Sequence, residues 1–207
     1  MWYIYNHFST FIVILPVIWG LINLKFIKDA KFILALLIIS LLVECSSEIS
    51  AIFSNYRIYR IGLIYSIFEV IILNYFFLQS IGFKYKWFVL STSIAMSIYL
   101  LIIYIFNIGG MDIPYAITSV YELILVSFYI LNNTKSILNN WRFTIFFAFF
   151  QYNILAIGIF TMVDYIEKHQ EFLVYYLILH SSANLLLYVF ISIGLIQCKK
   201  HFLKASL

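Results

Sequence analysis

Four glutamates and one histidine, Glu44, Glu48, Glu69, Glu122 and His180, stand inside stretches otherwise apolar enough to cross a membrane. A charged side chain facing lipid at the centre of a helix costs about 2.5–3.5 kcal/mol. Residues of this kind therefore face protein or a wet cavity. Glu44 and Glu48 lie four residues apart within residues 40–51, and helical spacing puts them on one face with Ser40 and Ser47. Glu69 is in line with Tyr65 and Ser66, and Glu122 with Tyr115, Thr118 and Ser119. Asn153 is in the sixth apolar segment, while Tyr176, His180, Asn184 and Tyr188 recur every four residues as a stripe. Such groups can bind a proton, a cation or an amine. They cannot all be charged while close and dry, so they are expected to share protons or to hydrogen-bond to Tyr, Ser and Asn. His180 is expected either as a cation beside a carboxylate or as a neutral bridge between Glu and Tyr.

The elements that must position these residues follow from composition. The chain has 207 residues, of which 64% are hydrophobic and 11% charged, against about 45–50% and about 25% for a soluble domain. The class is therefore an all-α polytopic membrane protein, a single domain with no loop long enough to fold independently. Seven apolar segments come near the roughly 20 residues a span needs: 8–26, 31–53, 62–81, 87–106, 115–131, 143–163 and 172–198. Pro16 is expected to kink the first. Residues 1–10 lack the basic region of a signal peptide, so the first segment is expected to remain in the mature protein.

Charge orients the bundle. With the N-terminus outside and the C-terminus cytoplasmic, Lys25, Lys28, Lys31, Lys84, Lys86, Lys135, Arg142, Lys199, Lys200 and Lys204 are inside, and only Arg57, Arg60 and Lys168 are outside. That is a clear positive-inside bias. Counting at about 1.5 Å per residue from the outer helix ends puts Glu48 about 9 Å deep and Asn153 about 16 Å deep, with Glu69, Glu122, His180 and Glu44 between them. The expectation is one outer-facing polar chamber, with Arg57 and Arg60 placed to cap it. A short repeat, Ser66-Ile-Phe-Glu69-Val-Ile-Ile and Ser119-Val-Tyr-Glu122-Leu-Ile-Leu, links the third and fifth segments in parallel orientation.

Other chemistries find less support. The net charge of +4 is accounted for by the cytoplasmic loops, and no nucleic-acid partner is expected. No nucleophile elbow, zincin motif or phosphate loop occurs. His180 is the one histidine inside a span; His7, His169 and His201 lie elsewhere, so no metal or other cofactor is expected. Cys45 and Cys198 fall at different depths and are not expected to pair.

The layout resembles small stand-alone seven-helix bacterial inner-membrane proteins and the seven-helix sensor regions that precede some histidine kinases. The resemblance rests on the N-out topology, Glu48 before loop 55–60, Ser66-Ile-Phe-Glu69, and His180-Ser-Ser-Ala-Asn184 in the last segment. It implies an inner-membrane sensor or ligand-binding subunit. No kinase domain follows the last segment, so a separate membrane or cytoplasmic partner is expected at the basic tail, residues 198–207. A proton- or cation-coupled transporter or channel is the first alternative, and a lipid-modifying intramembrane enzyme the second.

Overall fold

The computed structural model describes residues 2–53, 58–80, 85–106, 112–132 and 140–205, excluding the side chains of residues 2–11, 47–53, 58–61, 112, 132, 163, 164, 167 and 170. Every regular element among the described residues is helical: α1 Trp2–Ile22, α2 Lys31–Phe53, α3 Ile58–Ser80, α4 Lys86–Phe106, α5 Asp112–Asn132, α6 Trp141–Thr161, a short α7 Val163–Lys168, and α8 Leu173–Ala205. Five of the described helical stretches, in α3, α4, α5, α6 and α8, are long and apolar enough to cross a membrane. This is the pattern of a multi-pass membrane protein.

Helix ends follow local chemistry. The Asn140 side chain accepts a hydrogen bond from the Arg142 backbone N–H and so caps the start of α6. At the other end of α1, Asn23 donates its side-chain amide to the Trp19 carbonyl, 2.8 Å away. The chain then tightens into two 3₁₀ turns, Leu24–Phe26 and Lys28–Ala30, in place of the continued helix expected to residue 26. Ile27 and Ala30, fully buried, anchor that corner. α1 continues through Pro16. α8 runs past the expected end at residue 198 to Ala205, so the basic tail is helical over residues 198–205.

Six helices form a ring in the order α1, α2, α3, α5, α6, α8, closed by α8 packing on α1; α4 lies outside it against α3 and α5. The closest partnership is between α6 and α8. Gly194 permits it: a Cβ there would press on Ile145 and lie 3.2 Å from the Trp141 carbonyl. The largest buried cluster fills one half of the ring, with Phe76, Phe77, Tyr129, Phe146 and Phe149 at 0–1% exposure. In the other half the ring interior is polar.

Candidate functional site

α2, α3, α5, α6 and α8 together enclose a cavity of about 230 Å³. It is lined by Glu44, Glu69, Glu122, Tyr65, Asn153, His180 and Asn184, so seven of the residues singled out by spacing meet at one place. Tyr176 is not in the lining; its ring stacks on His180 with centroids 6.3 Å apart. Glu48 lies on α2, but its side chain, Arg57 and the Arg60 side chain fall outside the described residues.

Each of these three carboxyls accepts a hydrogen bond from a side chain in the ring. The Tyr65 hydroxyl donates to Glu69 Oε1 at 3.1 Å, one turn away on α3. The Asn153 amide on α6 donates to Glu122 Oε2 at 3.1 Å. The Tyr188 hydroxyl on α8 donates to Glu44 Oε1 at 2.9 Å, and Ser40 Oγ lies 2.9 Å from the same hydroxyl. These bonds tie α6 to α5 and α8 to α2 across the ring interior. His180 does not bridge Glu and Tyr among the described residues; its Nε2 lies 3.3 Å from the Asn184 amide, within α8.

In the lining, Glu122 Oε1 and Ser66 Oγ are buried with no hydrogen-bond partner among the described residues. The residues that carry them are 2% and 1% exposed. Buried polar atoms are normally paired because an unmade bond costs about 1–3 kcal/mol. Both can still take up a hydrogen bond, Glu122 as acceptor and Ser66 as donor or acceptor.

The cavity has two unlike ends. At one, Tyr115 stacks on Phe160 with centroids 5.1 Å apart, and Gly62 makes room for the Tyr115 hydroxyl, which an added Cβ would strike. At the other, the lining stops at Ser40, Leu187 and Tyr188. Further along α3, α5 and α6 stand Phe76, Phe77, Tyr129 and Phe146, with the Phe146 ring centroid 4.1–5.7 Å from the other three. An apolar aromatic cluster therefore follows the polar lining on the side where α8 continues toward Ala205.

Sequence reasoning missed three features. Tyr152 lines the cavity beside Asn153. Tyr121 turns away from the chamber and donates to Asn74 Oδ1 at 2.7 Å, with Thr92 of α4 at 3.5 Å, a separate polar seam between α3, α4 and α5. At the far end of the ring, Lys199 Nζ donates to Asn23 Oδ1 at 2.7 Å and lies over the Trp19 and Phe26 rings, fastening α8 to the end of α1. The signal that marks Glu69 and Glu122 in the sequence is a polar residue four positions away. Applied to Tyr152 it finds only Ala148 and Ala156, and applied to Lys199 it finds only Leu195 and Leu203.

Compared with known proteins, the chain matches no family model, no curated protein and no solved structure.

Proposed function

We propose that this is a seven-span membrane protein of the bacterial cytoplasmic membrane, N-terminus outside and C-terminus inside, that binds a small ligand, cation or proton in its interior chamber and reports it to a partner. α1 and α2 supply the two spans beyond the five apolar stretches; at about 1.5 Å per residue their 21 and 23 residues are long enough for a hydrocarbon core of about 30 Å. The distribution of Lys and Arg supports the orientation. α8, with 33 residues, exceeds the core thickness, so its last turns, with Lys199, Lys200 and Lys204, reach the cytoplasmic side as a helical docking surface.

The observation that carries the binding reading is the dead end. Three carboxyls from three helices meet in a chamber that an aromatic cluster floors. A relay or channel needs polar groups on both sides of the midplane, whereas a receptor pocket needs them only on the side its ligand approaches. A change of charge among Glu44, Glu69 and Glu122 alters the bonds that hold α2 to α8 and α5 to α6, and so biases the packing felt at the cytoplasmic ends.

The matched positions of Glu69 and Glu122 on packed neighbours α3 and α5 favour, as a second reading, a cation-coupled transporter. Proteoliposome flux combined with native mass spectrometry of protein extracted gently from its membrane separates the two. The binding reading expects a second polypeptide at fixed stoichiometry and no ion or proton flux that Glu69→Gln or Glu122→Gln abolishes. Flux lost in both variants, from a protein without a partner, overturns it.

A further inference from the structure

The chamber's charge balance and shape specify the ligand class. Glu44, Glu69 and Glu122 line it, and no Lys or Arg does so among the described residues. The acceptor left open, Glu122 Oε1, is buried, and so is the Ser66 hydroxyl. An anion would meet these carboxyls with no Lys or Arg among the described residues to offset them. Among the described residues no three His, Cys, Asp or Glu side chains converge closely enough to hold a metal ion. The carboxyls are instead interleaved with the rings of Tyr65, Tyr115, Tyr152 and Tyr188. Carboxyl oxygens with aromatic faces are the surroundings that suit an organic ammonium group.

Glu122 lies seven residues from Tyr115 on α5, and Asn153 seven from Phe160 on α6, about 10 Å along each helix. The Glu122–Asn153 pair is thus about 10 Å from the stacked Tyr115–Phe160 pair, and Ser66, one turn from Gly62, lies between them. Scaled from a cavity of ~150 Å³ that holds benzene, the volume of about 230 Å³ accommodates about nine non-hydrogen atoms. We infer that the chamber takes a small primary amine with an apolar body, its ammonium group on Glu122 and Ser66 and its body toward Tyr115 and Phe160. This rests on the reading of the chamber as a ligand site and names the class of ligand.

The test uses the full chain in nanodiscs of zwitterionic lipid, with calorimetric titration and empty nanodiscs subtracted. The probes are 2-phenylethylamine, its neutral isostere 2-phenylethanol, and phenylacetate. The amine is expected to bind saturably at one site, at least tenfold tighter than the alcohol, with phenylacetate weaker still. Glu122→Gln should weaken the amine at least tenfold and Ser66→Ala several-fold, each with an unchanged melting profile, while the exposed Glu171→Gln leaves binding as it was. Should Glu122→Gln fail to fold, Ser66→Ala and the amine-to-alcohol ratio in the unaltered chain carry the test. Alcohol binding as tight as amine binding, or amine binding undiminished in the carboxamide variant, overturns the ammonium class. Saturable alcohol or phenylacetate binding would leave the ligand-site reading standing. No saturable binding by any probe overturns the amine proposal and leaves ligands of other classes untouched by the result.

Discussion

Asn153 gives Glu122 its protein hydrogen bond, at 3.1 Å, in a setting where both residues are nearly inaccessible. Replacing Asn153 with Leu removes the donor and leaves a buried carboxyl without one, which is expected to destabilise the bundle by about 1–3 kcal/mol in detergent unfolding. Replacing both partners, Glu122→Met with Asn153→Leu, should cost less than the sum of the single changes, because no unpaired polar atom remains. Additive losses would mean that the two side chains act independently. Gly62 makes a second prediction of this kind. Gly→Ala in a helix is ordinarily worth about 0.8–1.0 kcal/mol of stabilisation. Here the added Cβ strikes the Tyr115 hydroxyl, so Gly62→Ala should destabilise instead, and Tyr115→Phe in the same chain should recover much of the loss. A stabilised Gly62→Ala protein would contradict the close approach.

Helix faces were harder to read in this sequence than helix positions. The expected bounds of α2, 31–53, coincide with the observed Lys31–Phe53, because an apolar run between basic and polar residues marks its own ends. Apolar side chains cover almost every face of these helices, so an apolar stripe does not point inward as it does in a soluble bundle. Only polar residues at four-residue spacing mark the inner face. That rule located Glu69 with Tyr65, and Asn184 with His180. It was blind to Tyr152, one of 17 tyrosines in the chain, most of which carry no positional message. It also gave no hint that Tyr121, one residue and about 100° around the helix from Glu122, serves a different seam. The Lys199 junction escaped because its partners, Asn23, Trp19 and Phe26, are remote in sequence. It carries a prediction at this scale. Lys199→Met keeps the aliphatic stem but removes the hydrogen bond and the cation over the rings, together worth about 1–2 kcal/mol. Amide exchange should rise across residues 19–27 and stay unchanged in α4, which packs elsewhere. Uniform exchange across the chain would show that the junction does not hold α1 to α8.

Among the described residues six helices form a ring with a polar half and an aromatic half, and α4 is set against its outside. The proposed function requires that the polar half be reached from one side only. Cysteine access at Ser66 tests this most directly, since Ser→Cys barely changes volume and Ser66 lines the chamber. The native thiols, exposed Cys45 and buried Cys198, are first replaced by Ser and Ala. Leu73→Cys, about two turns further along α3 in the apolar cluster, serves as the comparison. A small cationic thiol reagent applied outside should label position 66 and be slowed by 2-phenylethylamine. Applied inside it should not label position 66, and position 73 should stay inert from both sides. Labelling of position 66 from both sides, or from neither, would contradict a one-sided chamber.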